Sequence, residues 1–410
     1  MNTHEQQRRR TDILLGHLNP QQSDKCDSLL NSNTCSGVEK TQPKIKIYGV
    51  GRYLPPNVIT SEEIDAVCGL PKGYTERTSG VKERRYVQSL EKLAQRRNGV
   101  FMNYKFTPDE KLANYTDKEI EAEVAGSVFL AAEAAKEAIA DAGISPSEIV
   151  YIINCSGTPE RALPDNSCLV QRAIGLGGSS IPCCTVTSTC ISFMSGLQMA
   201  AGLIESGMYN GYILLVCSEA SSCSLNFTGN SHSAGLMGDT GAAVIVGPTP
   251  KEESSCINSY KFETYGEAAD LTTIRSGGSR YHPTFVWTKP EHTMFHMDGK
   301  ALLNYTAKRA APFLSTVLPG FQEGKAFENI DVVIPHQASA AMLQVLVNIF
   351  GFPAEKIVET LSMYGNCVSV SLPLTLYEAI KVKKTLKRGN KFFMVGTAAG
   401  LTLGAMTITY

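Results

Sequence analysis

The chain has 410 residues, 43% of them hydrophobic and 19% charged, with 38 Lys and Arg against 39 Asp and Glu and a formal net charge of −1. This composition suits a globular protein with a substantial interior, and the balanced charge gives no electrostatic reason to expect nucleic acid or an anionic membrane as a partner. No apolar run reaches the ~18 residues that suggest a membrane helix, and no apolar stretch follows Arg8, Arg9 and Arg10 as in a secretory signal, so the expected compartment is the cytosol.

Residues 1–43 are rich in Gln, Asn, Ser, Arg and Asp and are expected to form a flexible N-terminal extension. Alternation and β-branched residues predict a strand at KIKIYGVG, 44–51. The polar, charged stretch 88–118 is expected to be a surface excursion. Between 120 and 142, Val124, Val128, Ala131, Ala135, Ile139 and Ala142 recur at helical spacing, with Gly143 placed as a C-cap. A buried strand is predicted at IVYIINC, 149–155, and similar apolar runs follow at 212–217, 242–246, 332–335, 392–395 and 403–409. Strands alternating with helical patterns predict an α/β protein. Two halves, 44–255 and 256–410, each show that alternation.

The 12 cysteines are unevenly spaced without a C-x-x-C pair, which fits neither a disulfide framework nor a zinc site. His292 and His296, four apart, have no third ligand in any motif, so no metal is expected. Most of the cysteines read as small buried hydrophobes. Cys190 differs: it follows TVTST, 185–189, and precedes Phe193, Met194, Leu197, Ala200, Ala201 and Ile204 at helical spacing. At a helix start, the dipole and unpaired amides favour a thiolate, the species that attacks acyl groups. By itself this leaves a buried structural thiol as an equal alternative. His336 closes the strand-like VVIP and so stands at a strand's carboxyl end, where α/β sites usually lie. Asn366 occupies a turn after Gly365, before a helical pattern from Leu372 to Lys381.

These three segments, in this order, resemble the ketoacyl synthase III family of the thiolase superfamily. The likeness extends to YGVGRYLPPNVIT (48–60), ERTSGVKERR (76–85), GLMGDTGAAVIV (235–246), MDGKALLNYTAKR (297–309) and AAGLTLGAMTI (398–408). It implies a thiolase fold, a five-layered αβαβα sandwich of two similar halves, assembled as a homodimer. It further implies that Cys190 accepts an acyl group from acyl-CoA, while His336 and Asn366 bind the thioester carbonyl of a malonyl extender, malonyl-CoA or malonyl-acyl carrier protein. Decarboxylation then drives a Claisen condensation to a 3-oxoacyl product, with thioesters as substrates and no cofactor. An acyltransferase of the same fold, passing the acyl group to a hydroxyl or amine with His336 as base, is the alternative. The oxyanion would lie on the backbone amides of Cys190 and Ala399.

Departures from the family pattern bear on substrate. Ala398, Ala399 and Gly400 stand where three glycines are usual, with Thr397 in place of a bulky aromatic. Together with Leu163, where an aromatic commonly reaches the partner's pocket, and Leu401, this predicts a roomier substrate channel. Ala341 and Asn304 replace cations frequent at the carrier-docking rim. Tyr74, near Arg77, stands in for a tryptophan that stacks on the CoA adenine.

Overall fold

The computed structural model describes residues 43–98, 125–227, 233–282 and 284–410. The expected extension, 1–43, lies outside them except for Pro43, as does 99–118 of the expected excursion. In chain order the strands are β1 (Ile45–Tyr53), β2 (Asn57–Thr60), β3 (Glu83–Tyr86), β4 (Ile149–Asn154), β5 (Cys183–Thr185), β6 (Tyr212–Glu219) and β7 (Thr240–Pro248). They continue as β8 (Cys256–Thr264), β9 (Thr272–Thr273), β10 (His296–Met297), β11 (Val332–Pro335), β12 (Lys391–Ala398) and β13 (Thr402–Thr409).

Two sheets dominate, ordered β1-β7-β6-β4-β5 and β8-β13-β12-β11. From the first strand of each, the next two joins are antiparallel and the third parallel. The strands also enter in the same chain order, so the two sheets share one topology, and β5 extends the first.

The apolar runs explain the layering. Along β6, Ile213, Leu215 and Cys217 face one buried cluster, while Leu214 and Val216 face another. Along β12, Phe392 and Met394 face the first cluster and Phe393 and Val395 a third. A strand that is apolar on both faces must be covered on both. The shared cluster takes in Phe193, Met194 and Leu197 of the helix Ser192–Glu205 and Leu372, Leu374 and Leu376 of the helix Ser371–Tyr377. These helices form the layer between the sheets. The helices Ser127–Ala142 and Asn166–Ala173 cover the outside of the first sheet, and Gly299–Val317 and Ala340–Asn348 the outside of the second. The result is the five-layered sandwich.

The glycines of β1 follow from this packing. A Cβ at Gly51 would fall 2.2 Å from the carbonyl oxygen of Ala134, and one at Gly49 2.4 Å from that of Ala138. The alanine-rich helix therefore rests directly on the strand backbone, and ends at Gly143 in the left-handed conformation (φ 67°). The stretch from 88 is not all surface: Leu90 and Leu93, on the helix Leu90–Asn98, pack with Tyr86 and Leu225 in a satellite cluster.

Candidate active site

Both sheets deliver a special turn into the space between them. After β5 the chain makes a 3₁₀ turn, Thr189–Ile191, then the helix Ser192–Glu205. Ahead of the helix Ser371–Tyr377 stands a second 3₁₀ turn, Val368–Val370. Each opens on a β-branched residue in the left-handed region, Thr189 at φ 46° and Val368 at φ 49°. Such backbone costs on the order of 1–3 kcal/mol and persists only where its surroundings fix it. Matching hydrogen bonds do so here: Ser188 N–H donates to Ser192 Oγ at 2.8 Å, and Cys367 N–H to Ser371 Oγ at 3.1 Å.

Cys190 lies in the first turn, one residue before the N-cap of its helix. The expected thiolate is corrected by the structure: burial pushes its thiol up to about 12, and the buried Glu219 carboxyl acts in the same direction. The backbone N–H groups of Ala399 and Cys190 pull the other way without prevailing. A short helical turn at the edge of a packed core stabilises an anion less than water does. The resting group is a neutral thiol with two amides already facing its sulfur.

His336 follows β11, its own N–H donating to Val395 O at 2.7 Å. The close approach of β12 requires glycine at 396, where a Cβ would lie 2.8 Å from His336 Cβ. Burial lowers the imidazole to about 4, and Nδ1 has no hydrogen-bond partner among the described residues. The ring is neutral. Asn366 is held by its backbone, with N–H donating to Leu236 O at 2.8 Å and C=O accepting from Gly238 N–H at 3.1 Å. Its Oδ1 accepts from Val368 N–H at 2.9 Å, and Nδ2 donates to Ala338 O at 3.3 Å. With the oxygen engaged, the amide offers N–H to the interior.

Cys190, His336 and Asn366 line one cavity of about 290 Å³, together with Thr397, Ala398 and Ala399. Thr397 lines this cavity. Leu401 does not: it is fully buried in the turn between β12 and β13, outside the lining. Leu163 is 85% exposed and contributes nothing to its own chain's cavity. Tyr74 and Arg77 sit together on the helix Tyr74–Ser79, guanidinium 5.9 Å from the ring centroid, also outside the lining. A small apolar lobe of about 50 Å³ lies behind His336, and an open polar groove shares Thr189 and Ala399 with the cavity. Ala341 and Asn304 are exposed.

The cavity also holds a carboxyl that the sequence reading passed over. Glu219 ends β6 fully buried, its Oε1 accepting from Gly157 N–H at 2.7 Å and from the Ser369 hydroxyl. An acid closing the apolar run YILLVCS was the available signal. His292 Nδ1 accepts from Lys289 N–H at 3.1 Å and His296 is exposed; the described residues contain no group of three possible metal ligands. No helix among them is long and apolar enough to cross a membrane.

A cysteine, a neutral imidazole and an amide converging between two sheets of one topology mark a thiolase-fold enzyme of the acyl-transferring class. Residues 185–266 match the family described as 3-oxoacyl-[acyl-carrier-protein (ACP)] synthase III, and residues 322–410 its C-terminal family. Beta-ketoacyl-[acyl-carrier-protein] synthase III of Aquifex aeolicus is 27% identical over 89% of this chain and 99% of its own, and that of Clostridium perfringens 28% over 88% and 98%. The crystal structure of the Aquifex protein superposes with a TM-score of 0.70 at 26% identity, covering 89% of this chain and 100% of that one. Xanthomonas campestris OleA, solved with lauric acid and lauroyl-CoA, shares the fold at a TM-score of 0.69 and 18% identity, covering 90% and 99%. Across the two segments 185–266 and 322–410 the chain is similar to the ketoacyl synthase III-like branch of the thiolase superfamily.

Proposed function

We propose that this protein is a condensing enzyme in which Cys190 carries an acyl group and His336 and Asn366 hold the thioester that extends it. The observation that carries the reading is the convergence of Cys190, His336 and Asn366 on one cavity, all in neutral form. Cys190 Sγ attacks an acyl-CoA carbonyl, and its proton passes through His336 to the departing CoA thiolate. An S–C bond forms on Cys190 as the CoA S–C bond breaks. The tetrahedral oxyanion between these events lies on the N–H groups of Cys190 and Ala399, fixed donors that need no reorganisation.

In the second half-reaction a malonyl-type thioester loses carbon dioxide, and negative charge develops on its carbonyl oxygen. His336 and Asn366 meet that charge as neutral donors. The enolate carbon attacks the acyl carbonyl, the S–C bond to Cys190 breaks, and the thiolate takes one proton from solvent through His336. A 3-oxoacyl thioester leaves. Acyl-CoA as donor, malonyl-CoA or malonyl-acyl carrier protein as extender, the absence of a cofactor, a cytosolic homodimer and an adenine contact at Tyr74 and Arg77 complete the proposal. In that dimer Leu163 would reach the other subunit.

The test is sequential. The protein is incubated with acyl-CoA, the adduct is located by mass spectrometry, and malonyl-CoA or malonyl-acyl carrier protein is added. Carbon dioxide and a 3-oxoacyl product are expected. Acylation of Cys190 with no decarboxylation, followed by transfer to a hydroxyl or amine, would establish the acyltransferase reading instead.

A further inference from the structure

We infer that Gln337 and Tyr364 are positioning residues for the second half-reaction, fixing the two ends of the helical turn Leu361–Tyr364 so that His336 and Asn366 stand at one spacing. This deepens the proposed function and rests on it. The two donors have separate supports. His336 follows β11 in the second sheet, whereas the backbone of Asn366 is bonded to Leu236 and Gly238 in the first half of the chain. A direct bond, from Asn366 Nδ2 to Ala338 O at 3.3 Å, is long and takes one of the amide's two N–H groups. The turn supplies a firmer connection.

At its start stands Gln337, the buried neighbour of His336. Its Oε1 accepts from Thr360 N–H at 3.3 Å and Leu361 N–H at 3.2 Å, and its Nε2 donates to Pro335 O at 3.0 Å and Val358 O at 3.2 Å. One side-chain amide thus joins the end of β11 to the first N–H groups of the turn, which have no intrahelical partner. At the other end, the Tyr364 hydroxyl donates to Glu378 Oε1 at 2.9 Å and accepts from Arg52 Nη1 at 3.0 Å, while that guanidinium also pairs with Glu378. Arg52 belongs to β1 and Glu378 to the π-helical turn Glu378–Val382, so the phenol is gripped from both halves. Gly365 then carries the chain to Asn366 at φ 69° and ψ −167°, a conformation open essentially to glycine alone. A Cβ there would fall 2.5 Å from Leu236 O, and one on Gly238 would fall 2.1 Å from Tyr364 O. The turn has no slack, and a shift at either anchor moves one donor relative to the other. Stabilisation of a developing oxyanion is sensitive to displacements of about 1 Å.

The experiment follows two steps on the full chain: loading of Cys190 by acyl-CoA, read by intact-protein mass spectrometry, and release of carbon dioxide by the acylated protein from malonyl-CoA or malonyl-acyl carrier protein. Tyr364→Phe, which keeps the ring, should lower kcat for carbon dioxide release about fivefold, and Gln337→Met, which keeps the side-chain length, about tenfold, with loading changed less than about twofold. In an Asn366→Ala background each substitution should cost less than about twofold further, because the donor it positions is gone. Equal losses in the two steps, losses undiminished in that background, or carbon dioxide release unchanged in both variants overturn the inference while leaving the condensing reading intact. If Gln337→Met does not fold, Tyr364→Phe decides by the same criteria. No carbon dioxide from either extender with the unaltered, acylated protein would sink the condensing reading, and the inference with it.

Discussion

The two 3₁₀ turns between the sheets are built alike and do different work. Each begins with a β-branched residue at positive φ, each is tied by a backbone N–H to the serine that opens the next helix, and each feeds a central helix. The position after the strained residue is Cys190 in the first turn and Ser369 in the second. On our reading, the first half spends that position on a nucleophile. The second half spends it on a hydroxyl that holds Glu219, and places its reacting groups elsewhere, on His336 after β11 and Asn366 just before the turn. On the proposed function, one repeated backbone device would thus supply a covalent centre on one side and a scaffold for neutral donors on the other.

The division breaks most visibly at the nucleophile. Cys190→Ala should lower acyl loading by on the order of 10³-fold or more, read as adduct mass against time. A variant that still loads would move the nucleophile to another thiol. Asn366→Asp should cost condensation about 10²-fold, by replacing a donor with a carboxylate beside the developing oxyanion, while changing loading less than about threefold. Equal losses in the two steps would erase the distinction between the halves.

Stability against pH sharpens the second half alone. The folded-state pKa of His336 lies below the unfolded value of 6.5, so its contribution is present above that pH and is lost as pH falls through about 4. Between pH 7 and 4 the wild-type protein should lose roughly 3 kcal/mol more than His336→Asn in urea unfolding, a matched comparison in which other carboxylates titrate equally. Parallel curves would contradict the buried neutral imidazole. The smallest effects belong to the turns: Thr189→Gly and Val368→Gly should each shift stability by less than about 1 kcal/mol, since relief of strain offsets the entropy glycine adds to the unfolded chain. Acyl loading should fall only in the first of these.

Most of the framework was legible from periodicity, because strands apolar on both faces and an alanine-rich helix leave continuous patterns. Gly143 and Cys190 could be placed from local context alone. The state of the thiol could not: a helix start suggests a stabilised anion, whereas the extent of burial depends on β12, more than 200 residues later in the chain. Leu401 and Thr397 are equally good channel candidates in sequence. Only the β12–β13 hairpin register, which pairs Thr397 with Leu403 and Ala398 with Thr402, determines which of them reaches the cavity. Glu219 was hidden because an acid ending a strand reads as a surface cap until two other loops close over it.

The hairpin turn has one further consequence, for engineering. Ala399 lines both the enclosed cavity and the open groove, so the partition between the two compartments includes main chain that also offers an amide to the sulfur. A side chain there can be enlarged or trimmed to reset chain length without removing a donor, because the donor is backbone. On the proposed mechanism, selectivity and oxyanion binding would be carried by different atoms of a single residue, so that the first could be redesigned while the second stays in place.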